Sequence, residues 1–152
     1  GLYHAFHLHG FTEQIPNNMF VFNTIYSGDK KILHYHFKFF KIKKEKLFGI
    51  FTNKYPYSDK ERTIIDALEY PEYLGSLVEV IDRIKNATYH KNKLVSYAIE
   101  YQSIKIIKLV GILTQSTKLF NLLRKNKALS YYTTVKRTRT QFLDKKWKLR
   151  LI

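Results

Sequence analysis

The sequence predicts an α+β fold: a small antiparallel sheet containing a hairpin, packed by a bundle of about five helices, with C-terminal strands returning to the sheet. Residues 19–26 and 32–40 are rich in aromatic and β-branched side chains, which suit a pleated, half-buried surface. Between residues 59 and 127, apolar positions recur at helical spacing and are punctuated by serines, a proline and glycines. Over the last residues, 131–135 and 147–152, the pattern reads as strands again. Neither an internal repeat nor a low-complexity linker interrupts the 152 residues, so 1–152 is expected to form one α+β domain.

Taken in order, residues 2–9 read as a helix with Leu2, Phe6 and His9 near one face, and Gly10 stands where a left-handed residue would stop it. Residues 11–16 are a connector. Ser27, Gly28 and Asp29 supply turn chemistry between the two aromatic runs, which makes them the arms of a hairpin. Residues 41–46 are too charged to be buried, and 47–52 read as a third strand. Ser58, with Glu61 three residues on, forms a capping-box pattern for a helix over 59–69, whose apolar positions Ile64, Ile65 and Leu68 recur at helical spacing until Pro71 ends it. Gly75 opens a second helix that buries Leu77, Val78, Val80, Ile81 and Ile84 and stops at 86–88. Three short helices over 91–101, 104–114 and 117–127 follow, with Ser103 and Ser116 as caps. Leu94, Ala98, Ile104, Ile107, Leu109, Leu113, Leu119, Phe120 and Leu123 are expected to form their core. The closing strands are joined by a basic, polar loop.

Composition removes several classes of function. Hydrophobic residues make up 45% of the chain, with 11 Phe, 12 Tyr and 1 Trp, which is ample for a core and argues against disorder. The absence of cysteine excludes disulfides, thiolate metal sites and a cysteine nucleophile, and points to a cytoplasmic setting. No uncharged apolar run approaches the roughly 18 residues of a membrane helix, and the opening ten residues lack a signal peptide's charged head and cleavage site, so a soluble protein without a membrane partner is expected. The chain opens at Gly1 inside what reads as a helix, which suggests that upstream residues have been removed.

Charge is the strongest functional signal. Lys and Arg number 27 against 12 Asp and Glu, a net +15, and such a surplus normally points to a polyanion or an acidic protein. Residues 1–82 are balanced, so the surplus lies in 83–152, where Glu100 and Asp144 are the only acids. Asp66, Glu69, Glu72, Glu79 and Asp82 have no base among them and predict one acidic patch. Lys118, Arg124, Lys125, Lys127, Lys136, Arg137, Arg139, Lys145, Lys146, Lys148 and Arg150 lie among Tyr131, Tyr132 and Trp147. A surface of that kind neutralises phosphates without reading sequence. The competing reading is an ordinary solvated face of a lysine-rich protein.

Catalytic chemistry has no strong candidate. His4 and His7 are three apart on a helix, and His34 and His36 project from one face of a strand, spacings that can hold a metal, but no carboxylate ligand accompanies them. Asp29-Lys30-Lys31 and Asp144-Lys145-Lys146 match the acid-x-Lys element of metal-dependent phosphodiesterases, yet both fall in expected turns or loops. The six glycines are scattered, so no phosphate-cradling loop exists, and neither cofactor nor metal is expected.

Five segments resemble, in order and spacing, motifs of the AbiEi-type antitoxin and transcriptional-regulator family. Residues 58–66, Ser-Asp-Lys-Glu-Arg-Thr-Ile-Ile-Asp, resemble its "pE+alLD" helix start, and residues 7–16 its "hhGLTeqiP" segment. Residues 71–75 are similar to its P-x-x-x-G linker, 109–113 to its "RLGyLL" helix and 146–150 to its "rWnLrvN" strand. Lys108 stands where the family usually has Arg, and the chain ends near the position of the family's terminal Asn. The family's N-terminal winged helix is not among these residues. The resemblance implies the C-terminal antitoxin domain of a type IV toxin–antitoxin system, not an enzyme, whose toxin is a nucleotidyltransferase and whose basic C-terminal residues help hold operator DNA. In this reading Glu61, Arg62 and Asp66 form a charged network that fixes a helix against the sheet. Gly111 is a close packing point and Trp147 a core anchor. The expected function is therefore a regulatory, DNA-holding domain. The alternatives are a metal-dependent nuclease of restriction-endonuclease type and a plain protein-interaction module.

Overall fold

Alternating aromatic residues near the N-terminus and periodic aliphatic ones further on divide the chain into sheet and helix regions, and the α+β class holds. The computed structural model describes residues 1–52, 54–136 and 141–152, and contains six α-helices and eight strands among them. Helix α1 (Leu2–Leu8) buries Leu2, Ala5 and Phe6 and leads into Gly10, whose φ of +76° is the left-handed conformation that glycine adopts without a Cβ clash.

The first sheet has the order β1-β3-β2, from β1 (Asn18–Asn23), β2 (Gly28–Ile32) and β3 (Tyr35–Lys41). Its hairpin is not the expected one. Gly28 and Asp29 lie within β2, and the chain reverses at Leu33 and His34, bringing Ile32 opposite Tyr35. β1 ends early because the Asn23 Oδ1 accepts from the N–H groups of Ile25 and Tyr26, closing a local turn. With β2 bound to one edge of β3, β1 pairs with the other edge in parallel, so the sheet is mixed rather than purely antiparallel. The expected third strand also pairs elsewhere: β4 (Ile50–Phe51) forms a two-stranded ribbon with β5 (Tyr57–Ser58).

Helices α2 (Lys60–Glu69), α3 (Leu77–Lys85), α4 (Lys91–Tyr101), α5 (Ile104–Thr114) and α6 (Thr117–Lys125) follow the expected spans closely. Ser103 and Ser116 accept from the N–H groups of Ile106 and Leu119, as capping predicts. The capping box is displaced by one helix. Ser58 is held in β5, so Asp59 caps α2 by accepting from Arg62 N at 2.8 Å, while Ser76 and Glu79 form the reciprocal box on α3. Most of the expected helical core is buried or packed against it, but Ile104, the first residue of α5, is exposed.

The C-terminal strands do pair in a sheet, though with one another. β6 (Thr133–Val135) is parallel to β8 (Leu149–Leu151), and β7 (Phe142–Asp144), within the expected loop, is antiparallel to β8. This second sheet packs on α5 through Trp147, which is 1% exposed. A Cβ on Gly111 would overlap the indole ring of Trp147, so two distant motifs meet in one contact that only glycine permits. Among the described residues, no helix is long and apolar enough to cross a membrane.

Candidate nucleic-acid interface

Trp147 organises the basic C-terminal region. Phe120 of α6 meets its ring edge-on at 5.5 Å, and Lys146 lies over both rings while its Nζ donates to Gln115 Oε1 at 2.9 Å. Arg124 follows Phe120 by one helical turn and so rises on the same face of α6. On β8, Leu149 and Leu151 turn inward, while Arg150 and, just before the strand, Lys148 lie over the Tyr132 ring, at 5.3 and 4.9 Å. These rings attract the cationic side chains without neutralising their charge.

Of the eleven expected cations, Lys118, Arg124, Lys125, Lys127, Lys136, Lys145, Lys146 and Arg150 are exposed and Lys148 is half-buried. Arg137 and Arg139 lie outside the described residues. Among the described residues, none of these cations takes part in an ion pair. Lys146 lies over the Phe120 and Trp147 rings and Lys148 and Arg150 over Tyr132, while Lys118 lines a cleft with Lys91 that also includes Gln115, the acceptor of Lys146.

Lys108 supports this region from below. It is fully buried and donates to the carbonyl oxygens of Tyr131, at 3.1 Å, and Lys148, at 3.0 Å, tying α5 to the segments that lead into β6 and β8. Burial lowers its ammonium pKa. Sequence reasoning gave Lys108 no role, because its partners are backbone carbonyls 23 and 40 residues away.

Of the expected network of Glu61, Arg62 and Asp66, only Arg62 and Asp66 come together. Arg62 Nε donates to Asp66 Oδ1 at 2.9 Å, and both side chains are almost fully buried. Arg62 Nη1 reaches the carbonyls of Lys46 and Phe48, which pins α2 to the segment before β4. Gly49, at φ +64°, lets that segment approach, since a Cβ there would strike the Arg62 side chain and the Tyr97 ring. Glu61 turns away from Asp66 and accepts from His90 N, at 2.9 Å, and Lys93 Nζ, at 3.1 Å. Lys93 also pairs with Asp59, which accepts from the Tyr97 hydroxyl as well. Burial pulls the Lys93 ammonium down, but its two carboxylate partners outweigh this and raise it; burial and Asp59 push the Tyr97 hydroxyl up to about 12. Neither Lys93 nor Tyr97 was legible as a partner, because their link to Asp59 crosses more than thirty residues.

Burial raises the Asp66 carboxyl to about 6, with Arg62 pulling it back only in part. The folded state therefore holds this proton between the ordinary aspartate pKa and about 6, whereas the unfolded chain has released it. The Asp66 contribution to stability is complete below that window and is lost as pH rises through about 6. Carbon-detected NMR should place the Asp66 titration near 6, and Asp66→Asn should flatten the pH dependence of stability between about 4 and 6.

The residues weighed for metal chemistry are dispersed. His34 lies in the turn before β3, so it does not share a strand face with His36. His7 Nδ1 is hydrogen-bonded to the Thr12 carbonyl, and burial lowers the pKa of His4. Asp29 lies on β2 rather than in a turn, but its register partner on β3 is Lys38. Asp144 Oδ1 accepts from Trp147 N at 2.8 Å and shapes the turn that presents the tryptophan. Among the described residues, no group of three His, Asp or Glu side chains stands close enough to hold a metal. No protein-family model, curated protein or solved structure matches the chain.

Proposed function

We propose that the chain is a non-enzymatic regulatory domain, similar to the C-terminal part of an AbiEi-type antitoxin and autorepressor, that holds operator DNA by phosphate contacts and counteracts a nucleotidyltransferase toxin. The observation that carries the DNA-holding part is the set Lys146, Lys148 and Arg150, in the turn before β8 and on that strand, mounted over Phe120, Trp147 and Tyr132 and without carboxylate partners among the described residues. Cations already desolvated on one side by a ring, and not spent on internal pairs, are available to phosphates. The convergence of residues 109–113 and 146–150 on the Gly111–Trp147 contact supports the family reading, because it gives both motifs one physical purpose.

Labelled duplex DNA titrated at several salt concentrations tests this reading. With about five phosphates contacted, affinity should fall several-hundred-fold between roughly 50 and 200 mM salt. Arg124→Glu, Lys146→Glu and Arg150→Glu should each weaken binding and flatten the salt slope, leaving the DNA intact with or without Mg²⁺. Magnesium-dependent cutting, or affinity indifferent to these substitutions, would overturn it.

A further inference from the structure

Side chains alternate across a strand, so the registers of the first sheet assign each residue to one of two faces. One face belongs to the core: Phe20 and Phe22 of β1 pack with Phe40 of β3 over Tyr70 and Tyr73. The opposite face carries Tyr35, Phe37, Phe39 and Lys41 of β3, flanked by Lys30 and Ile32 of β2. None of these belongs to the hydrophobic core or packs against it. Tyr35 and Ile32 are exposed, Phe37 and Phe39 are half-exposed, and the Phe37 and Phe39 rings stand 6.3 Å apart and 23° from parallel. Tyr26 packs on Phe39 at 4.9 Å and braces it from the side.

The charge of this face selects its partner. Lys30 and Lys41 are exposed on it, while Asp29 lies on the reverse, within 3.8 Å of Lys38. Aromatic rings at every second position of a central strand, with lysines at the margin and no carboxylate, match the stacking and phosphate chemistry of an unpaired nucleic-acid strand. Duplex DNA keeps its base faces stacked inside the helix and could use only the lysines. Tyr35, an exposed residue of the same face, carries a hydroxyl that is both donor and acceptor, of the kind that meets a ribose 2′-OH.

We propose that this sheet face is a platform for single-stranded RNA, on which unpaired bases stack against Tyr35, Phe37 and Phe39 while Lys30 and Lys41 meet the backbone phosphates. It is independent of the basic C-terminal region, so either site can fail without the other.

Binding of a labelled, unstructured oligouridine to the full chain tests the proposal, with single-stranded DNA of matching sequence as comparison. Phe37→Leu and Phe39→Leu keep the apolar bulk but remove the π face, and each should weaken RNA binding about tenfold. Lys30→Glu and Lys41→Glu should weaken it and lower the salt slope, and circular dichroism should report an intact fold for all four. Arg150→Glu should weaken duplex DNA more than oligouridine. Affinity unchanged in both leucine variants would overturn the proposal, as would DNA binding as tight as RNA. Self-association abolished by the same variants, with no RNA affinity, would assign the face to a second copy of the chain instead.

Discussion

Arg62→Leu should destabilise the fold by about 3–5 kcal/mol at pH 8, the usual result of removing one partner of a buried ion pair. The Asp66 side chain is buried from water, and among the described residues its one hydrogen-bonding neighbour apart from Arg62 is Ser58 Oγ, at 3.3 Å. Without the guanidinium, an ionised Asp66 keeps only the attraction of the N-terminal ammonium and the Ser58 hydroxyl, and the carbonyls of Lys46 and Phe48 lose a donor. The deficit should shrink at pH 5, where Asp66, already raised to about 6 in the native protein and higher still without Arg62, takes up a proton and becomes neutral. Urea unfolding at the two pH values measures both effects, and an equal loss at each would mean that the pair contributes through packing alone. Arg62→Lys should recover little, because one ammonium cannot reproduce the fork that joins Asp66 to two carbonyls on another segment.

The second large effect is expected where α5 meets the C-terminal sheet. Trp147→Ala should cost about 3–5 kcal/mol by leaving a cavity between Gly111, Phe120 and the helix bundle. Gly111→Ala should cost about 1–3 kcal/mol, since the added methyl overlaps the indole and Trp147 is too enclosed to move aside. In the Trp147→Ala background the same methyl enters open space, and the better helix propensity of alanine should make the substitution neutral or stabilising by up to about 1 kcal/mol. A double-mutant cycle by urea unfolding reads the coupling directly. Additive losses would show that the two residues do not share one contact. Because Lys146, Lys148 and Arg150 are presented from this turn and strand, Trp147→Ala should also weaken duplex DNA binding while removing no charge.

The helical half of the chain was readable because its signals are local. Helices α4 and α5 match their expected spans, since a serine cap or a terminating residue acts within one turn and apolar periodicity within three or four. Where several residues compete for one cap, local reasoning misplaced it: Ser58 and Asp59 both suit the position, and pairing of Ser58 in β5 leaves it to Asp59. The strands were legible as strands but not in their pairing. Ser27-Gly28-Asp29 looks like a hairpin turn, yet Leu33 and His34, with no glycine between them, form it. The Arg62–Asp66 pair was visible as an i, i+4 spacing, whereas its carbonyl partners, and the Asp59–Glu61–Lys93 cluster beside it, were not.

The sequence by itself determined the α+β class, the positions of the helices, the glycine that stops α1, and the concentration of positive charge after residue 82. Each follows from residue type and short-range spacing, which act before the chain has a tertiary structure. Only the tertiary structure decided that β1 pairs in parallel with β3, that the C-terminal strands form their own sheet, and that Gly111 receives the Trp147 ring. It also seated Lys146, Lys148 and Arg150 over aromatic rings. Contacts between residues tens of positions apart depend on which surfaces remain unburied once the local elements exist, and a period or a cap carries no record of that choice.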